Sequence, residues 1–267
     1  SAVHFGKPFA EYDQVFVVGS SYSLLKNLEY LKHTNDPVVC VNSSSVVLAK
    51  NGIQPDVMVL RESLDLSDQV RGTDAPVVLA PIDANPANLA AAEDRLAWYI
   101  PGYPRYMSLC HALDTRPVFG GTSSFETAVK LSMMWGAKRI VLLGADLAGT
   151  RTGPNEYCFY HPDAPRGDLV GKLEGGWIVT EGNVADDARC VASGQEPPRK
   201  RGGYTPVTAH DWSEELPITN ALLNQREWLT TQADRHSHQV EMVNCSAGGC
   251  GILGWKSRHI SNYISID

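Results

Sequence analysis

No apolar run in the chain approaches the ~20 residues of a membrane-crossing helix, so no membrane span is expected. An excess of positive charge is also missing. The 267 residues carry 23 Lys and Arg against 30 Asp and Glu, a formal net charge of -7. That balance excludes a general pull toward nucleic acid or an anionic membrane, so any basic site has to be local. The six cysteines, Cys40, Cys110, Cys158, Cys190, Cys245 and Cys250, form no C-x-x-C pair. Their spacing argues against zinc, and a chain this long can bury a core without a disulfide framework. Reduced structural thiols are expected, and no metal-ligand set. The start, Ser1-Ala2-Val3-His4, has no signal-peptide pattern, so a cytoplasmic protein is expected. Two nucleotide motifs are absent as well. There is no G-x-G-x-x-G with an acidic residue after the second strand, which disfavours a dehydrogenase, and no G-x-x-x-x-G-K-[ST], which excludes a Walker-type kinase.

What the chain does have is alternation. Gln14–Gly19 is a continuous apolar run, the pattern of a strand buried on both faces. A short helix over Leu24–Leu31 follows, then a strand over Pro37–Asn42 and a helix over Ser44–Asn51 stopped by Gly52. Val57–Leu60 and Val77–Ala80 are further strands. Asn85-Pro86 reads as a cap followed by a first-turn proline, opening a helix through about Trp98. Phe125, Ala128, Val129 and Met133 mark the apolar face of a helix ending near Trp135-Gly136, and Arg139–Gly144 is another buried strand. Residues 149–210 are rich in Gly, Pro and charge and are expected to form a loop insertion or lid. A long helix within Trp212–His236, started or kinked at Pro217, and a strand over Val240–Asn244 close the chain. The expectation is one α/β domain over residues 1–267. Its sheet is Rossmann-like, doubly wound and mostly parallel, with a long irregular insertion before the C-terminal helix and strand.

Two small-residue turns carry the functional signal. Gly19-Ser20-Ser21-Tyr22-Ser23-Leu24 joins the first strand to a helix, and Gly120-Gly121-Thr122-Ser123-Ser124 opens another. Each points backbone N–H groups and a helix N-terminus toward one spot, which suits a phosphate; the blander alternative for each is a capped turn with no ligand. Asn42 closes the second strand beside the first turn, placed to read a base or ribose or to cap the next helix, as Ser43 and Ser44 also could. Glu62 ends the third strand, where it could reach a ligand hydroxyl or a metal, and Arg61 could neutralise a phosphate. Asp56, at that strand's other end, reads as a turn brace. Asp146, after the strand ending at Gly144, is a candidate base or metal ligand, and His161 in the long stretch suits proton transfer. His236, His238 and Arg199-Lys200-Arg201 read as solvated surface.

In this order the pieces resemble the core domain of the bacterial motility accessory factors, which transfer nonulosonic acids to flagellin. The family's opening turn, G-x-G-P-S-L, is met by Gly19, Ser23 and Leu24, with Ser21 and Tyr22 departing from it. Its G-I-x-P-D stretch is met by Gly52, Ile53, Pro55 and Asp56, its G-G-x-S turn by Gly120, Gly121 and Ser123, and its G-Q-D-L-A by Gly144, Asp146, Leu147 and Ala148. Glu62 stands where the family has Asp, His161 lines up with a loop His, and Asn244, Gly248, Gly249, Ile252 and Gly254 resemble its closing motif. Bacterial sialyltransferases and an archaeal 6-hydroxymethylpterin pyrophosphokinase share the opening turn.

The resemblance implies a glycosyltransferase with a CMP-activated nonulosonic acid as donor, a protein or glycan as acceptor and no tightly bound cofactor. Gly19, Ser20, Ser21, Ser23, Asn42, Glu62, Gly120, Gly121, Thr122 and Ser123 would hold the nucleotide, and His161 or Asp146 would take the acceptor's proton. The alternatives are a pyrophosphokinase holding Mg²⁺ on Asp146 and Glu62 and a non-catalytic nucleotide-binding module.

Overall fold

The computed structural model describes residues 8–61, 63–153, 156–165, 170–174, 177–181, 199–202, 204–208 and 215–265. The first strand, β1 (Val15–Val18), is buried at every position. A 3-10 turn (Tyr22–Lys26) and α1 (Leu28–Leu31) lead to β2 (Val38–Val41), which runs straight into α2 (Asn42–Lys50). Then come β3 (Val57–Val59), α3 (Ser67–Arg71), β4 (Val77–Pro81), α4 (Pro86–Ala92), β5 (Leu96–Tyr99), α5 (Met107–Ala112), α6 (Ser124–Met134) and β6 (Arg139–Leu143). Strands β7 (Thr150–Gly153), β8 (Glu156–Cys158), β9 (Val170–Glu174), β10 (Trp177–Glu181), β11 (Arg199–Gly202), β12 (Tyr204–Thr208) and β13 (Glu215–Thr219) precede α7 (Asn220–His236), β14 (Glu241–Asn244) and β15 (Lys256–Ser257).

Eight strands form one sheet in the order β15-β14-β6-β1-β2-β3-β4-β5, and every pairing in it is parallel. The period of two along β1 divides the core. Val15 and Val17 pack on one face with Phe125, Ala128 and Val129 of α6 and Leu229 and Ala233 of α7. Phe16 and Val18 pack on the other with Leu24, Leu28, Val47 and Leu48. Helices cover both faces, which is why β1 is apolar throughout. The fold is α/β, Rossmann-like and doubly wound. The chain moves outward from β1 through β5, returns through α6 and continues on the other side at β6, so the switch in strand order falls between β1 and β6. Ligands in open α/β sheets sit at the carboxyl ends of strands at such a point.

Several boundaries differ from the sequence expectation. Helix α4 stops at Ala92 rather than Trp98; Glu93 takes φ of 50°, and Leu96–Tyr99 joins the sheet beside β4. The aromatic pair Trp98-Tyr99 suits a strand better than a helix end. Pro217 lies in β13, paired with Pro206 of β12, and the helix starts at Asn220. The segment 149–210 is not only loop. Strands β7 to β11 form an antiparallel sheet in the order β11-β10-β9-β8-β7, and β12 pairs with β13. Runs as short as Glu156-Tyr157-Cys158 are hard to see among Gly and Pro. Cys190 lies outside the described residues. Among the described residues no helix is long and apolar enough to cross a membrane.

Candidate functional site

A cleft of about 260 Å³ opens at the switch point. Gly19, Ser20 and Ser21 after β1, Gly144 and Ala145 after β6, Asn42 and Ser43 at the start of α2, and Ser123 and Ser124 at the start of α6 all line it. The opening turn and the Ser123-Ser124 end of the second turn therefore share one cavity. The N-termini of α2 and α6 both reach it, and their dipoles favour a negative guest. The opposite wall comes from Gln69 of α3, Tyr160, and Leu222 and Gln225 of α7. The polar side chains of the wall are hydroxyls and carboxamides, a lining that orients a ligand by hydrogen bonds.

The two glycines at the mouth are there because β1 and β6 end in contact. A Cβ on Gly19 would collide with the Gly144 carbonyl, and one on Gly144 would lie 2.6 Å from the Gly19 carbonyl oxygen. Gly144 also takes φ of 58°, which side chains other than glycine rarely adopt.

The loop amides are used differently from the sequence expectation, which has both turns offer them to a ligand. Gly19 N–H donates to the Leu143 carbonyl at 2.8 Å and Ser21 N–H to the Gly144 carbonyl at 3.0 Å. Ser23 N–H donates to Asp146 Oδ2 at 3.0 Å. At the second turn, Thr122 N–H and Ser123 N–H both donate to Glu126 Oε2, at 2.6 and 2.7 Å. Glu126 and Ser123 form a capping box: Ser123 Oγ in turn accepts the Glu126 N–H at 3.2 Å. Glutamate thus fills the spot where an anion was expected. The reason was legible in outline, since Ser123-Ser124-Phe125-Glu126 is itself a capping-box sequence.

The remaining sequence candidates divide by position. Asn42 is the first residue of α2 rather than its cap, and its Nδ2 donates to Gln69 Oε1 at 3.1 Å. The capping work falls to Ser44, whose Oγ accepts the Val41 N–H at 3.0 Å and donates to the Val18 carbonyl at 2.6 Å. Ser43 Oγ donates to Ser20 Oγ at 2.8 Å. Asp56 braces β2 by accepting the Val38 N–H at 2.7 Å, as its position suggested. Gly120, Gly121 and Arg61 line a second cavity instead of the cleft. Thr122 is exposed. Glu62 lies outside the described residues. Ser43, Gln69, Tyr160 and Gln225 were not singled out as site residues; the last three sit on elements whose approach to the cleft is set by tertiary packing.

Asp146 is 1% exposed and faces inward. Both its oxygens are taken: Oδ1 by the Ser23 hydroxyl, Oδ2 by the Ser23 N–H and by Thr150 Oγ1 at 3.0 Å. Burial raises its pKa above the usual carboxylate value, against the pull of these donors. So arranged, it is a clamp on the opening turn, a role different from the base or metal ligand the sequence suggested.

His161 is 1% exposed and follows Tyr160, which lines the cleft. Its N–H donates to the Ser20 carbonyl at 2.7 Å, tying this segment to the opening turn. Nδ1 accepts the Asp163 N–H at 3.0 Å. A backbone N–H can only donate, so the neutral ring carries its proton on Nε2. Burial lowers the pKa of the ring below the ordinary value, ahead of the opposing influence of Asp163. Nε2 is buried without a partner. The ring is therefore arranged as a hydrogen-bond donor, not as the proton acceptor expected from sequence. A buried donor left unmade costs roughly 1–3 kcal/mol, which a bound oxyanion would recover.

Comparison with known proteins bears on this site. Residues 2–152, which include the opening turn, Asn42, the second turn and Asp146, match the family model described as 6-hydroxymethylpterin diphosphokinase MptE-like. That is more than half of the 267 residues. The chain belongs to the MptE-like family. This MptE-like chain also superposes, over 96% of its length, on the structure of the MAf glycosyltransferase from Magnetospirillum magneticum AMB-1, with a TM-score of 0.68. The two share 17% identity, and the chain spans 35% of that protein's length. The likeness is one of fold. A comparison with curated proteins gave no match.

Proposed function

We propose that this MptE-like chain is a nucleotide-binding core that acts in glycosyl transfer, with a CMP-activated nonulosonic acid as donor and a hydroxyl of a protein or glycan as acceptor. The observation that carries the reading is His161: a neutral, buried Nε2–H without a partner, next to a cleft where two helix N-termini meet. Glycosyl transfer from such a donor forms a bond from the acceptor oxygen to the anomeric carbon, breaks the bond between that carbon and the phosphate oxygen, leaves the electron pair on CMP and passes the acceptor's proton to the departing phosphate or to water. The His161 donor and the N-terminus of α2, fixed in advance, suit that developing charge, and removing one such donor elsewhere costs about 10²–10³ in kcat. The assignment puts His161 on the side of the leaving group. Asn42 and Gln69 offer carboxamides for the base or ribose, and Ser20, Ser43 and Ser123 offer hydroxyls.

A second reading follows from the family's description: transfer of a diphosphate from ATP to a hydroxymethyl pterin-like substrate. Mg²⁺ would neutralise the phosphates in that reaction. Asp146, one of the two carboxylates suggested for it, does not fit as arranged, because Ser23 and Thr150 occupy both its oxygens. The glycosyl reading is also favoured by the extent of the structural likeness, which covers 96% of the chain, whereas the family model matches residues 2–152.

The test is to supply the chain with CMP-sialic acid in EDTA and follow CMP release, and in parallel to supply ATP, Mg²⁺ and 6-hydroxymethyl-dihydropterin and follow AMP. The account expects EDTA-resistant CMP release that falls at least a hundredfold in His161→Ala while CMP still binds. Formation of AMP would replace it with the second reading. Nucleotide binding with neither product would leave a non-catalytic module.

A further inference from the structure

Behind the cleft wall sits a carboxylate. Ser123 and Ser124 line the cleft, and the Ser123 N–H donates to Glu126 Oε2 at 2.7 Å. Glu126 is 1% exposed. The same oxygen accepts the Thr122 N–H at 2.6 Å and the Thr122 hydroxyl at 3.2 Å. Gly121 makes room for the group: a Cβ there would lie 2.5 Å from Glu126 Cδ, and the residue takes φ of 65°. We propose that Glu126 is a specificity-determining residue, a fixed internal anion that limits the cleft to one phosphate charge. It admits a nucleoside phosphodiester and turns away the doubly charged monophosphate and any di- or triphosphate. The ligand class rests on the nucleotide reading above.

The charge balance of the cleft carries the argument. Among the described residues that line it there is no Lys, Arg, Asp or Glu. Lys26 and Lys50, on the segments that follow Ser21 and Ser43, bond instead to the Ala247 carbonyl and the Asp163 carboxylate, each at 3.4 Å. The positive field of the cleft therefore comes from helix ends and neutral donors. Each helix N-terminus is equivalent to roughly half an elementary charge. At α2, Asn42 and Ser43 bring that half charge to the cleft. At α6 it is met by the Glu126 carboxylate, whose charge exceeds it. The His161 Nε2–H adds a donor without a charge. This arrangement suits a single negative charge on a ligand. A second would have no cation beside it and a carboxylate behind the wall, and like charges repel strongly where water is scarce.

The limit has a use in turnover. A CMP-activated sugar carries one phosphate charge. Once the sugar has left, the phosphate has a second ionisable oxygen, with a pKa of about 6, and is mostly doubly charged at neutral pH. The cleft that holds the donor then repels the product, so transfer itself loosens the grip on CMP. No moving part is needed, because the capping box with Ser123 holds the carboxylate in place.

The experiment measures by calorimetry, in mildly alkaline buffer with EDTA, the binding of cytidine 5′-methylphosphate, CMP and CDP to the full chain and to Glu126→Gln. The methyl ester carries a single charge there, CMP two and CDP three. For the unaltered chain the expected order of affinity is methyl ester, CMP, CDP, with about tenfold or more lost at each added charge. Glu126→Gln keeps an acceptor oxygen for the Thr122 and Ser123 N–H groups, so it should fold. In it CMP and CDP should gain about tenfold or more relative to the methyl ester. The order in the unaltered chain tests the charge limit even if the variant does not fold. CMP or CDP binding as tightly as the methyl ester would overturn the limit and leave the nucleotide reading intact. A gap unchanged in folded Glu126→Gln would overturn the role of Glu126. Binding of none of the three would overturn both the limit and the nucleotide reading. The expected order without CMP release from CMP-sialic acid would remove the transferase reading and leave the inference standing.

Discussion

Asp146 accepts both the backbone N–H and the hydroxyl of Ser23, across 123 residues of sequence. This clamp joins the end of β6 to the opening turn and sets the mouth of the cleft. Asp146→Ala leaves the buried Ser23 N–H unpaired and should cost about 2–3 kcal/mol. Asp146→Asn keeps an acceptor and should cost less. Because burial raises the Asp146 pKa, the folded chain holds this proton more tightly than the unfolded one. Stability should therefore fall as pH rises above the ordinary carboxylate value, and Asp146→Asn should flatten that slope. Denaturant titrations of the three chains at several pH values measure both effects.

The contact between Gly19 and Gly144 leaves no room for a methyl group. Gly144→Ala meets both the Gly19 carbonyl and an unfavourable φ. It should destabilise by about 2–4 kcal/mol, at the upper end for a point substitution. Gly52→Ala, which has a φ of 68° and open space around it, should cost only the backbone strain, about 1 kcal/mol. Thermal unfolding of the pair separates crowding from conformation.

Glu126 occupies the amides of Thr122 and Ser123. Glu126→Ala should cost about 1 kcal/mol through the lost capping box. It should also free an anion site at the N-terminus of α6, so inorganic phosphate should bind more tightly to the variant than to the unaltered chain. Phosphate titration by calorimetry checks this.

His161 is buried with a lowered pKa, so the ring stays neutral as pH falls past the ordinary value of about 6.5. Its contribution to stability is present above that value and is lost as pH falls through the folded-state pKa. His161→Gln should remove this acid-side loss. Melting temperatures measured from neutral to mildly acid pH should fall more steeply for the unaltered chain than for the variant.

The sequence showed the sheet strands that are continuous apolar runs, such as Val15-Phe16-Val17-Val18 and Ile140-Val141-Leu142-Leu143, because burial on both faces leaves no room for polar residues. It did not show β5 or the strands of 149–210, whose short runs carry no clear period. In the site, the small-residue turns and Asn42 were legible as a cavity mouth. The fate of their N–H groups was not. Whether Ser23 faces a ligand or Asp146 depends on how β6 sits against β1, and Glu126 becomes an internal anion only once α6 forms. Gln69 and Gln225 reach the cleft from helices brought there by packing on the sheet.

The central claim is that the cleft between β1 and β6 holds a nucleotide. The most direct test is the unfolding free energy of the chain in EDTA with and without CMP at millimolar concentration. The account predicts stabilisation, reaching ~2.7 kcal/mol at a hundredfold excess over the dissociation constant, and its loss when Ser43 is replaced by Leu to fill the cleft. An unfolding free energy indifferent to CMP, or a gain that survives Ser43→Leu unchanged, would contradict it.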